Sequence, residues 1–105
     1  MRQHFQHLNK AFDNRVRLGI MAALVSNESM DFKSLKVLLD ITDGNLASHL
    51  KGLEKEAYIE VQKQFIGRKP NTTYSVTKSG RSAFQEHINA LESIISQQLT
   101  TRGNE

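Results

Sequence analysis

Cysteine and tryptophan are absent from the 105 residues, and proline occurs once, at Pro70. Without cysteine there is no disulfide framework, thiolate metal site, thiol nucleophile or thiol redox switch, and the cytoplasm is the expected compartment. Long apolar runs are missing too. The densest, Ile20 to Val25, falls far short of the roughly 20 residues of a membrane span, and the opening MRQHFQHLNK lacks the apolar core of a signal peptide. Neither insertion nor export is expected. A chain of this length has room for one core, so 1–105 is read as a single domain. Acid is missing from one place: the formal charge is only +3, yet 61–81 holds Lys63, Arg68, Lys69, Lys78 and Arg81 and no Asp or Glu. A one-signed stretch of this kind is the footprint of a polyanionic partner, whereas a merely solvated surface mixes signs.

What is present is periodic. Phe5, Leu8 and Phe12 recur at i, i+3 and i+7 and predict a first helix ending near Asp13 or Asn14. Asn14 then caps a second, whose Val16, Ile20, Ala23 and Leu24, widened by Leu18, Met21 and Val25, predict burial over much of its circumference. Met30 to Phe32 can form a very short strand. Asp31 is placed to cap a helix with Leu35, Leu38 and Leu39 on one side, and Thr42 to cap the next, with Leu46, Leu50 and Leu53 at i, i+4 and i+7. Two short helices joined by about three residues form a helix-turn-helix unit, here 31–56. From Tyr58 the period shifts to 2: Ile59 and Val61, then Tyr74 and Val76, alternate with polar neighbours around a turn-rich segment from Gly67 to Thr72. This predicts a β-hairpin with a basic tip, 58–77. Thr77 caps a last helix, 78–99, with Phe84, Ile88, Leu91 and Ile95 on one stripe.

The predicted fold is therefore mainly α with a small β-hairpin, in the order α-α-β-α-α-β-β-α of a winged helix-turn-helix. The run ITDGNLASHLKGLEKEAYIEVQKQFIGRKPNTTYSVTKSGRSAF, with NRVRLGIMAAL upstream, resembles the small stand-alone winged-helix transcriptional regulators related to the MarR and ArsR groups. The likeness covers about residues 8 to 91, and its most specific pieces are NLASHLKGLE, FIGRKPNT and TKSG. It implies a bacterial DNA-binding regulator, usually a homodimer, whose third core helix enters the major groove while the wing follows the backbone or minor groove. The chain departs from the pattern at Ala57, where relatives usually carry glycine after the recognition helix. A left-handed conformation there costs alanine about 1 kcal/mol. Asp40 likewise stands where glycine is common, and the cysteine pair of metal-sensing relatives is absent.

The candidate DNA contacts follow from chemistry as well as likeness. The helix opening at Thr42 offers free backbone N–H groups to a phosphate, and Gly44 keeps that turn slim. Asn45, Ser48 and His49 lie away from Leu46 and Leu50 or along their border and carry hydrogen-bonding groups suited to base edges. The plainer reading of each is a solvated helix face, and for His49 packing beside the core. Arg68 and Lys69 sit at the hairpin tip, suited to a narrow minor groove and a phosphate, with Arg15, Lys51, Lys55 and Lys63 as secondary phosphate contacts. One helix face must cover the domain's own core, yet the last helix carries Ile88, Leu91, Ile94, Ile95 and Leu99 well past that need. Together with Phe5, Leu8 and Phe12 these form the expected homodimer seam.

His4, His7 and His87 could approach a metal, but solvated imidazoles are the ordinary reading and no metal is expected. No nucleophile-base grouping, phosphate loop or paired carboxylates stand in a recognisable context, so neither an enzyme nor a cofactor is expected. A dimer cleft could hold a small-molecule or protein effector, though no residue identifies one. A winged-helix protein-interaction module without DNA binding is the alternative, and RNA lacks a pair of exposed aromatics beyond Phe65.

Overall fold

The computed structural model describes residues 2–103, with side chains described through Gln97. The chain runs α1 (Arg2–Phe5), a single 3₁₀ turn (Lys10–Phe12), α2 (Arg15–Ser26), β1 (Met30–Asp31), α3 (Phe32–Leu39), α4 (Asp43–Lys55), β2 (Ile59–Ile66), β3 (Lys69–Val76) and α5 (Lys78–Gly103). The three strands form an antiparallel sheet in the order β1-β3-β2. Met30 pairs with Tyr74, and β2 pairs with β3 along its whole length from Ile59–Val76 to Ile66–Lys69.

Local chemistry sets the helix starts. Asn14 accepts from the backbone N–H groups of Val16 and Arg17, Asp31 from Ser34, and Thr42 from Asn45. Each satisfies donors that the first helical turn leaves unpaired. The ends of α3 and α4 both turn through left-handed residues, Asp40 (φ 51°) and Ala57 (φ 63°). At the second, Tyr58 N–H donates to the Leu53 carbonyl (3.1 Å) and Ala57 N–H to that of Glu54 (2.9 Å). This is a Schellman cap with alanine in the glycine position.

The core gathers Val16, Ile20, Met21 and Leu24 of α2, Leu35 of α3, Leu46, Leu50 and Leu53 of α4, and Ile59 of β2. Phe12 completes it, 1% exposed, with its ring 5.4 Å from Tyr58, 5.6 Å from Phe84 and 5.4 Å from His87. Three expectations are corrected here. The first helix is broken: α1 stops at Phe5 because Asn9 leaves the helix, accepting from Ala11 N–H while its own N–H donates to His87 Nδ1 (2.9 Å) and its amide to Tyr58 Oη (2.9 Å). Phe12, expected at a dimer seam, is consequently spent in the protein's own core. Leu38, expected beside Leu35 and Leu39, is 59% exposed, since in an eight-residue helix only Leu35 is fully buried.

The start of α5 is locked to the root of the hairpin. Thr77 N–H donates to the Tyr58 carbonyl (3.0 Å), Thr77 Oγ1 donates to the Ala57 carbonyl (2.7 Å), and Gly80 N–H donates back to Thr77 Oγ1 (2.9 Å). A Cβ on Gly80 would overlap the Tyr58 carbonyl, so the helix lies against backbone there.

Candidate nucleic-acid interface

Helix α4 turns Leu46, Leu50 and Leu53 inward and leaves Gly44, Asn45, Ser48, Lys51 and Lys55 exposed. Thr42 Oγ1 accepts from Asn45 N–H (3.2 Å), and a Cβ on Gly44 would meet open space, so the N-terminal turn is capped and unobstructed. Asp43, the one acid of that turn, is paired with Lys36 of α3 at 2.7 Å, which offsets its repulsion of a phosphate and ties the two helices together.

His49 is placed differently from Asn45 and Ser48. It is half-buried, and its Nδ1 accepts from Arg17 Nε (3.1 Å), with the guanidinium lying over Gly52 one turn further on. Burial, reinforced by the Arg17 charge, holds the imidazole below its ordinary pKa. Neutral His49 thus has one nitrogen engaged inside the protein and only Nε2 left for a ligand. Arg17 is the functional candidate that sequence reading missed. Its partner lies 32 positions away on another helix, and no local spacing reports a contact of that kind.

The hairpin connects Ile66 to Lys69 through two residues, Gly67 and Arg68, rather than the longer segment to Thr72 expected from composition. Gly67 alone has positive φ (65°), the requirement of a type II′ turn, and it leaves Arg68 at the apex. Pro70 fits within β3 because β1 pairs only with Tyr74 and Thr73, so the strand is an edge at Pro70 and needs no N–H there. Lys63, Arg68 and Lys69 are all exposed. Arg81, also in the acid-free stretch, donates instead to the Val25 carbonyl (3.4 Å) and braces α5 against α2.

Of the seam residues, Phe5, Leu91 and Ile95 are exposed, and Leu8, Ile88 and Ile94 half-buried; the side chain of Leu99 lies outside those described. Phe5, Leu8, Leu18 and Leu91 line an apolar cavity of about 460 Å³ floored by Phe12 and His87. His7 pairs with Glu86 at 3.1 Å and His87 with Asn9, so these imidazoles already have partners. Among the described residues no three His, Cys, Asp or Glu side chains gather where they could hold a metal, and no helix is long and apolar enough to cross a membrane.

A helix-turn-helix followed by a basic two-stranded wing, closed by a long helix, defines a winged-helix protein. Residues 16–95 match the family model described as "Winged helix DNA-binding domain", and the chain belongs to that family, a DNA-binding rather than an enzymatic class. It is 40% identical over 79 residues to an uncharacterized protein of Methanocaldococcus jannaschii, covering 75% of this chain and 86% of that one. A transcriptional regulator homologue from Pyrococcus horikoshii OT3 superposes with TM-score 0.84 at 28% identity, covering 93% of this chain and 98% of that chain. A protein assigned to the MarR family of transcriptional regulators, from Enterococcus faecalis V583, shares the fold with TM-score 0.67 at 22% identity, covering 90% and 81%.

Proposed function

We propose that the protein is a sequence-specific, duplex-DNA-binding transcription regulator acting as a homodimer. One observation carries this reading. An exposed helix with a capped, unobstructed N-terminus stands beside a wing whose tip is basic and free of acid, in a chain of the DNA-binding winged-helix family. In this reading α4 lies in the major groove with Asn45 and Ser48 toward base edges. Lys51 and Lys55 meet phosphates, and Arg68 and Lys69 reach the flanking backbone or minor groove. His49 serves by holding Arg17 beside that helix as a further phosphate contact. The apolar flank of α5, with Phe5 and Leu8, forms the seam between copies, and the cavity beneath α1 has room for a small apolar effector.

Selection of bound sequences from random duplex DNA tests the proposal. The expected outcome is enrichment of a two-fold symmetric site whose half-sites are about one helical turn, roughly 34 Å, apart. No enrichment, or no duplex bound at low salt, overturns it and leaves the protein-interaction module in its place.

A further inference from the structure

The wing carries more than charge. Phe65 is 74% exposed and Ile66 65%, both at the far end of a hairpin whose root is buried. Ile59 is 2% exposed, and Phe65 lies six positions beyond it along the same strand, about 20 Å at strand rise. No part of the described core reaches the tip: β1 stops pairing at Thr73, and the outer hairpin has strand on one side only. An aromatic ring held that far from its own core is free to pack against another surface.

The register says which side the ring occupies. Side chains alternate, so Phe65 shares a sheet face with Val61 and Ile59, the face packed on the helical core. Opposite Phe65 stands Pro70, and opposite Lys63 stands Thr72. The pair Phe65–Pro70 lies next to the closing pair of a two-residue turn, and Pro70 has no N–H to give across the ladder. It is therefore a non-hydrogen-bonded pair, in which facing side chains come closest. The result is a stiff apolar wedge of Phe65 and Pro70, with Lys63 below it on the same face and Arg68 and Lys69 at the tip. Ile66 lies on the reverse face.

We propose that Phe65 is a wedge residue that enters the groove flanking the one occupied by α4, stacks against a base step and partly opens it. The occupant follows from charge complementarity. The wedge has Lys63 on its own face, Arg68 at the turn and Lys69 beside it on the reverse face, with no acid from 61 to 81, which suits a groove walled by phosphates. Pyrimidine–purine steps unstack most easily, so the wing would favour such a step at a position that no hydrogen-bonding side chain reads. The inference rests on the DNA-binding reading above.

Because the chain has no tryptophan, Phe65→Trp creates a single reporter at the wedge. With the enriched duplex, its emission should be quenched at least about twofold by base stacking and become shielded from acrylamide. Phe65→Ala should weaken binding about tenfold with an unaltered salt slope, and the loss should shrink when the flanking step is a stiff A-tract. Ile66→Ala, on the reverse face, should bind like the wild type. Both substituted positions are exposed, and circular dichroism should show unchanged folds. If the tryptophan variant saturates with duplex while its emission and acrylamide access stay those of the free protein, the wedge is overturned and the DNA reading stands. If the wild type binds no duplex at low salt, the DNA reading fails, and this inference with it.

Discussion

Ala57 holds an L side chain at φ 63°, where the Cβ crowds the following carbonyl. Ala57→Gly should therefore stabilise the fold by something under about 1 kcal/mol, the relief being partly offset by the greater freedom of glycine in the unfolded chain. Gly80 is the reverse case. Its missing Cβ is where the Tyr58 carbonyl sits, so Gly80→Ala should cost about 2 kcal/mol or more. Urea denaturation of the two variants beside the wild type checks both signs. His87 adds a pH term. Burial lowers its pKa from the ordinary 6.5, although Asp13 pulls the other way, and its Nδ1 must stay unprotonated to accept from Asn9. On acidification the unfolded chain takes up this proton before the folded one. The stability contributed is complete above about pH 6.5 and is lost as pH falls through the folded pKa. His49, lowered by burial and then by Arg17, acts with the same sign. Urea midpoints should fall as the pH drops below about 6.5, and His87→Gln, whose amide oxygen can accept the Asn9 N–H, should remove part of that slope. An unaltered slope in this variant would mean that His87 is not its source.

Among the elements, α4 and the wing are expected to divide the work of binding. Asn45→Ala or Ser48→Ala removes groups facing base edges, so either should cost about 1 to 3 kcal/mol on the enriched site and leave nonspecific affinity and its salt dependence nearly intact. Arg68→Ala with Lys69→Ala removes counterion-releasing charge. It should weaken binding to every duplex and lower the salt slope by about 1 to 2 units per monomer. Titration against enriched and scrambled duplexes at several salt concentrations separates the two; equal effects on both duplexes from all variants would leave α4 without a reading role. Helix α4 was legible in the sequence because it keeps one period over its length and opens with its own cap, at Thr42 with Leu46, Leu50 and Leu53. The wing was legible at its root, whereas its outer strands, where alternation stops, read as turn. The break between α1 and the 3₁₀ turn was not legible. Phe5, Leu8 and Phe12 have helical spacing, but Asn9 is claimed by Tyr58 and His87, partners 49 and 78 positions away that no local pattern reports. The bond from Arg17 to His49 escaped notice for the same reason, and the exposure of Leu38 followed from the shortness of α3.

At the scale of the whole molecule, the radius of gyration is 16.5 Å and the extents are 65 × 26 × 20 Å. A globular domain of about 100 residues has a radius near 13 Å. The excess comes from the wing and from α5, whose 26 residues extend about 39 Å, well beyond the core. Leu91 is 43% exposed and Ile95 52%, one turn apart on that projecting helix, and Phe5 faces the same cavity as Leu91. The protein should sediment as a dimer at tens of micromolar, and Leu91→Asp with Ile95→Asp should sediment as a monomer with its helix-turn-helix still folded. A monomeric wild type at that concentration would refute the seam.

The burial of Phe12 also has a consequence for synthesis. The residue emerges from the ribosome well before the rings that enclose it, which belong to Tyr58, Phe84 and His87. The last of these lies 75 positions later (87 less 12). At about 5 to 20 residues per second, Phe12 waits roughly 4 to 15 s for its complete surroundings. Over that interval α2, α3 and α4 can already collapse on one another through Ile20, Leu24, Leu35 and Leu50, leaving one side of the nascent core open. Closure of that side, by the segment around Phe12 and by α5, must then wait until His87 has emerged.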